Sequence, residues 1–196
     1  MIYLYTGTPG SGKSYHATYD IYKKVYQKSK KFKPRVISNY YLDLKNDNFV
    51  YLDNSEITTN FLYDFAKKNH KFGLESQTLV VIDEAQIIFN SRDWNSSRKG
   101  ESRMDWIKFF SQHRKFGYNI ILIAQNDRMI DRQIRALVEY EVAHMKINNY
   151  FRILPLTFFL AVYRWYGQKM KLTSETFLYR KKIANLYNSY EYFDNE

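Results

Sequence analysis

The stretch Gly7-Thr8-Pro9-Gly10-Ser11-Gly12-Lys13-Ser14 satisfies the pattern G-x-x-x-x-G-K-[ST] at every fixed position. An apolar run, Ile2-Tyr3-Leu4-Tyr5, precedes it, and no Gly or Pro follows until Pro34. That order reads as strand, loop and helix, the setting in which the motif means phosphate binding. Glycines let the chain curl so that successive N–H groups point at one anion, and the N-terminus of the next helix adds partial positive charge. The expected nucleotide-binding residues are Gly7 to Ser14 with Tyr15 directly after them. Lys13 is expected to reach the β- and γ-phosphates of ATP, and the Ser14 hydroxyl to ligate Mg²⁺. A glycine-rich turn carrying a lone lysine is the plainer alternative. The Ser after Lys13 and the strand and helix flanks speak against it.

A loop of this kind needs a sheet behind it. Leu79–Ile82 and Ile120–Ala124 are apolar without alternation, like Ile2–Tyr5, which suits parallel strands covered on both faces. Arg35–Ser38 and Phe49–Leu52 read as further strands. Helices are expected over Lys13–Lys30, over Glu56–Lys68 with Ser55 as its N-cap, and over Met104–Phe116 with Gly117 as its stop. Asn90–Arg103, polar around Trp94, reads as a mobile loop. From Glu141 the pattern changes: Glu141–Ile147, Arg152–Trp165 and Lys169–Tyr179 read as antiparallel strands, and Arg180–Tyr187 as a short basic helix. The fold class is therefore α/β, with a mostly parallel five-stranded core sheet and helices on both faces. The core is expected over residues 1–150. A C-terminal β-rich extension over 151–196 packs on it within one structural domain.

Composition narrows the partners. With 196 residues and no cysteine, disulfides and thiolate metal sites are excluded. His16, His70, His113 and His144 show no metal-ligand spacing. A formal net charge of +10 favours an anionic partner, nucleic acid or an acidic membrane surface. The apolar stretch Ile153–Gly167 contains Arg164 and is shorter than the ~20 residues a membrane helix needs, so it reads as a buried strand. Because the first strand begins at residue 2, no signal peptide is expected.

Two further strand ends carry chemistry. Thr78–Ile82 ends in Asp83-Glu84. Asp83 is expected to hold Mg²⁺ opposite Ser14, and Glu84 to polarise a water for in-line attack on the γ-phosphate. Asn119–Ala124 ends in Gln125, which would sense the γ-phosphate by hydrogen bonds if this strand lies between the other two. Next come Arg128, Arg132 and Arg135, any of which could reach a neighbouring subunit's nucleotide as an arginine finger. A solvated helix face with an Asp131–Arg135 pair is the alternative.

These parts, in this order, resemble the zonula occludens toxin-like proteins, which include the gene I assembly proteins of filamentous phages. The residues that carry the resemblance are Ile2 to Ser14, Val81-Ile82-Asp83-Glu84-Ala85-Gln86, Gln112-His113-Arg114-Lys115-Phe116-Gly117 and Ile121-Leu122-Ile123-Ala124-Gln125. Leu186-Tyr187-Asn188-Ser189 adds to them as a closing motif. The resemblance covers residues 1 to roughly 190. It implies a P-loop ATPase of the catalytic-glutamate (ASCE, FtsK/HerA-like) class, dependent on ATP and Mg²⁺, that helps extrude a filamentous virion. It further implies a ring-forming homo-oligomer, with a hexamer as one form, working in the host cytoplasm with phage coat or assembly proteins. By position, His113 and Arg114 are candidates for coupling between subunits. Direct action on DNA, as in packaging or plasmid transfer, is the competing reading. A small-molecule kinase and a binder without turnover stand further off. Family members commonly carry a transmembrane helix after the ATPase domain, and none is legible here. Anchoring is then expected through a partner, through Lys169, Lys171, Arg180, Lys181 and Lys182 on anionic lipid, or not at all.

Overall fold

The computed structural model describes residues 1–90, 101–148, 157–168 and 170–187. Its backbone is one eight-stranded sheet in the order β3-β2-β4-β5-β1-β6-β7-β8. The strands are β1 (Ile2–Thr6), β2 (Arg35–Ser38), β3 (Phe49–Tyr51), β4 (Thr78–Ile82), β5 (Tyr118–Ile123), β6 (Tyr140–Asn148), β7 (Thr157–Trp165) and β8 (Lys171–Leu178). The first six run parallel to their neighbours, while β7 and β8 are antiparallel additions.

The strand period of two sorts the core into two layers. Ile2, Leu4, Val80, Ile82, Ile120 and Leu122 face α2 (Thr59–Asn69) and α3 (Arg103–Gln112). Their neighbours Tyr5, Leu79, Val81, Ile121 and Ile123 face α1 (Lys13–Val25). Helix α1 buries Ala17, Ile21 and Val25, spaced at i, i+4 and i+8 along one stripe. Lys23 and Lys24 in its last turn complement the helix dipole. On the other face Trp106 and Phe110 of α3 meet Phe89 edge to face, Trp106 meets Phe109 likewise, and Phe110 packs tilted against Trp106 and Phe109. Full burial of one such aromatic contributes about 1.5–3 kcal/mol.

Several expectations need correction. Strand β6 is parallel to β1, pairing Tyr3 with Tyr140 and Tyr5 with Val142, and so belongs to the parallel set. Alternating burial along β6 reports one covered face and says nothing of the neighbour's direction. The parallel set therefore has six strands. Helix α1 ends at Val25, because past it the buried stripe stops and Lys28, Lys30 and Lys31 crowd like charges. Helix α2 begins after Thr58, whose hydroxyl accepts from the Phe61 N–H at 3.1 Å, and Ser55 is not its cap. Helix α3 opens on a capping box between Ser102 and Asp105 and ends at Gln112, one turn before Gly117. Asp131 does not pair with Arg135. It caps α4 (Arg132–Arg135) and contacts Arg103 at 3.4 Å, while Arg135 turns to Asp127 at 3.1 Å. The C-terminal basic helix shortens to α5 (Lys181–Ala184). The proposed loop around Trp94, the start of the Arg152–Trp165 strand, Lys169 and the end of the closing motif lie outside the described residues.

Candidate nucleotide site

Because the six parallel strands all point one way, their C-terminal ends form one rim. The ends of β1, β5 and β4 are neighbours in that rim, with β5 between the other two. The loop after β1 is stitched to the loop after β5 by a bond from the Gly7 N–H to the Gln125 carbonyl at 3.3 Å. Within the loop, the Ser11 N–H donates to the Thr8 carbonyl at 3.1 Å.

Two glycines are required by geometry. Gly12 stands at φ 95° as the residue before α1, and a Cβ on it would lie 2.4 Å from the ring of Phe159. Gly7, at φ 147°, would bring a Cβ to 2.7 Å from the His144 carbonyl. Strands β6 and β7 thus press directly against the back of the phosphate loop.

The Lys13 ammonium curls into its own loop, donating to the carbonyls of Gly7 at 2.8 Å and Thr8 at 3.1 Å. Its pKa is lowered chiefly by desolvation, which the charges of Asp83 and Glu84 oppose. The Ser14 hydroxyl donates to Asp83 Oδ2 at 3.0 Å, joining the first turn of α1 to the end of β4. Burial raises the Asp83 pKa, while bonds from the Glu84 N–H and Ser14 pull it down. A serine hydroxyl beside one carboxylate at a phosphate loop is a fitting donor set for Mg²⁺, which takes one or two protein oxygens and completes its shell with water and substrate phosphates. Among the described residues there is no cluster of three or more His, Cys, Asp or Glu that would hold a metal by itself.

Glu84 is exposed at the rim and adopts φ 48°, a left-handed conformation unusual for a residue with a Cβ. This turn opens the 3-10 segment Ala85–Ile87 and swings the carboxylate away from the strand axis, where Gln86 donates to it. Gln125 is exposed beside the phosphate loop. Arg128 and Arg132 are exposed further along the same rim, whereas Arg135 is engaged by Asp127, which also accepts from the Tyr166 hydroxyl at 3.0 Å. His113 and Arg114 lie at the opposite end of the sheet, where both face Glu139 beside the Met1 amine. The structure does not bring them to the phosphate loop.

Some site residues escaped the sequence. Asn39, just past β2, holds the backbone of Asp83 from both sides: its Oδ1 accepts from the Asp83 N–H at 2.6 Å and its Nδ2 donates to the Asp83 carbonyl at 2.8 Å. A polar residue ending an apolar strand was the available signal, the same one that marks Asp83 and Gln125. Thr18 donates to the Ser14 carbonyl at 2.8 Å and meets the Tyr40 hydroxyl at 3.4 Å. Beneath the loop His16 and His144 share a hydrogen bond of 2.9 Å in the core. Tyr15 stacks among Phe159, Phe177 and Tyr179. No periodicity in the sequence pairs His16 with His144 or Tyr15 with its ring partners, because these contacts join α1 to residues more than 120 positions away.

Comparison with known proteins agrees with this geometry. The gene 1 protein of Enterobacteria phage M13 is 27% identical over 216 residues, covering 97% of this chain and 58% of the phage protein. The chain therefore spans somewhat more than half the length of such relatives. The solved N-terminal domain of zonular occludens toxin from Neisseria meningitidis superposes with a TM-score of 0.57 at 20% identity, covering 95% of this chain and 98% of that one. The genome packaging NTPase B204 from Sulfolobus turreted icosahedral virus 2, solved in complex with ATP-gammaS, gives a TM-score of 0.52 at 14% identity, covering 89% and 95%. These likenesses make the fold that of a P-loop NTPase. The profile of the zonular occludens toxin (Zot) family matches residues 1–192, and the chain belongs to that family.

Proposed function

We propose that this chain is an Mg²⁺-dependent ATPase that drives assembly and extrusion of a filamentous virion. The observation that carries the reading is the contact between Ser14 and Asp83 at 3.0 Å, with Gln125 just past the end of β5, the strand between β1 and β4. The loop N–H groups and Lys13 bind the phosphate chain of ATP, and Lys13 exchanges its carbonyl partners for phosphate oxygens. Ser14 and Asp83 would hold Mg²⁺, which would supply positive charge to offset that of the phosphates. Glu84 orients the attacking water and accepts its proton, and Gln125 hydrogen-bonds the γ-phosphate. Family membership and the gene 1 relatives support virion assembly as the work done.

The test is an ATP hydrolysis assay on the purified chain. Lys13→Ala is expected to abolish nucleotide binding, and Glu84→Gln to retain binding while losing about 10²-fold or more in turnover. Unchanged hydrolysis in the first variant removes the phosphate-loop assignment, and in the second it moves the base elsewhere. A second reading, direct action on DNA, is favoured by the net charge of +10 and the likeness to a genome packaging NTPase. Stimulation of turnover by DNA, lost steeply with salt, would select it. Among the described residues no helix is long and apolar enough to cross a membrane.

A further inference from the structure

The phosphate loop opens on one side into a cleft of about 490 Å³ that none of its motifs explains. One wall is the loop itself, from Gly10 through Ser14. The facing wall is a strap of chain, residues 179–187, that leaves β8 and crosses the first turn of α1.

The strap is fixed at both ends. At its start, the Tyr15 hydroxyl accepts from the Arg180 N–H at 2.8 Å and donates to the Leu178 carbonyl at 3.2 Å. The Tyr15 ring stacks on Phe159 at 5.2 Å and on Tyr179 at 5.6 Å. At its far end, the Leu186 carbonyl accepts from the Asp43 N–H at 3.2 Å, and the Tyr187 ring meets Tyr40 edge to face. The strap is therefore tied to the residue after Ser14 on one side and to the segment after β2 on the other.

The surfaces it presents are specific. Tyr179 is 43% exposed and Ile183 lines the cleft, so flat and aliphatic apolar surface lies within reach of the loop. Asn185 stands exposed on the same wall, and its carboxamide offers two donors and an acceptor. An aromatic face, an aliphatic floor and one amide next to a triphosphate cradle match a molecule with a flat π face and a polar edge.

We propose that this cleft seats the nucleobase of the bound nucleotide, a purine, stacked on Tyr179 with Asn185 on its polar edge. The inference rests on the nucleotide-site reading above and adds the residues that recognise the base. The strap then supplies the part of the affinity that the phosphates do not, and the larger π face of a purine gains most from it. Stacking of a base on an aromatic side chain is worth a factor of roughly 10 to 100 in affinity.

Two measurements on the full chain decide it. The first is equilibrium binding of ATP against inorganic tripolyphosphate, each with Mg²⁺. The wild-type chain is expected to favour ATP about ten-fold or more, and Tyr179→Ala and Asn185→Ala to erode that preference while keeping tripolyphosphate affinity. Tyr179→Phe, which retains the stacking face, should keep it. Equal affinity of the wild-type chain for both ligands overturns the proposal. So does an ATP preference that survives both alanine variants. The second is photolabelling of the wild-type chain with 8-azido-ATP, which needs no variant to fold. Label is expected on residues 179–187 or Tyr15, and label confined to any other segment overturns it. If Lys13→Ala binds tripolyphosphate as the wild type does, the phosphate-loop reading has failed instead.

Discussion

Asn39 shows how one side chain can set the geometry of a carboxylate through its backbone alone. By bonding both the N–H and the carbonyl of Asp83, it fixes the peptide groups on either side of the carboxylate that meets Ser14. Nothing in its position relative to the phosphate loop advertises this. Asn39→Ala removes three hydrogen bonds, these two and one from Nδ2 to Asn54 Oδ1 at 2.6 Å, each worth about 0.5–1.5 kcal/mol, and leaves two backbone groups to find water. The expected outcome is a chain that still folds, hydrolyses ATP at least several-fold more slowly, and needs more Mg²⁺ to reach half-maximal rate. A titration of rate against Mg²⁺ checks it, and an unshifted midpoint would separate Asn39 from the Asp83 geometry. The candidates that sequence did offer at this scale, Lys13, Ser14, Asp83 and Gln125, share one property: each was nominated by local strand–loop–helix order. Asn39 meets Asp83, and Tyr40 meets Thr18 and Tyr187, through contacts between separate elements, which no short window of sequence contains.

At the scale of elements, β6 and α1 are joined through the hydrogen bond between His16 and His144. His144 Nδ1 also lies 3.2 Å from the Thr6 carbonyl and so carries the proton, which makes its Nε2 an acceptor for His16. Burial lowers both imidazoles from 6.5 to about 3. Tyr5, Tyr163, Asp20 and Glu175 surround the pair, with Lys23 near Asp20. Between pH 6.5 and 3 the unfolded chain therefore binds more protons at these histidines than the folded one, so stability falls as pH falls across that window. Asp20, whose pKa burial raises, acts in the opposite sense. The melting temperature is expected to be lower at pH 5 than at pH 7, with a smaller difference in His144→Gln. An equal difference in both proteins would show that the pair does not carry the effect. The parallel core was legible in the sequence because unbroken apolar runs such as Val80–Ile82 and Ile120–Ile123 suit nothing else so well. The direction of β6 was not, since alternating burial is common to both kinds of pairing.

For the whole molecule, the rim where β1, β5 and β4 end is also where Arg128 and Arg132 stand exposed, while Arg135 is held by Asp127. If subunits assemble side by side, the two exposed arginines are the ones free to complete a neighbour's site. Mixing Arg128→Ala or Arg132→Ala chains with Lys13→Ala chains should then restore ATP turnover above that of either alone, because one interface in the mixture has both intact halves. Hydrolysis that never exceeds the sum of the separate proteins would exclude a contribution in trans from either residue. Sequence alone could nominate three arginines but not rank them, since the partner that removes Arg135 sits two turns of chain earlier on a 3-10 segment.

The left-handed backbone at Glu84 has one more consequence. A residue with a Cβ gives up about 1–2 kcal/mol to sit at φ 48°, and glycine would give up almost none. A search for heat-resistant variants of this chain, run without asking for turnover, should therefore drift towards glycine at position 84. With Glu84 as the proposed water-orienting group, the most stable version of the fold and the hydrolysing one would then part company at that one peptide.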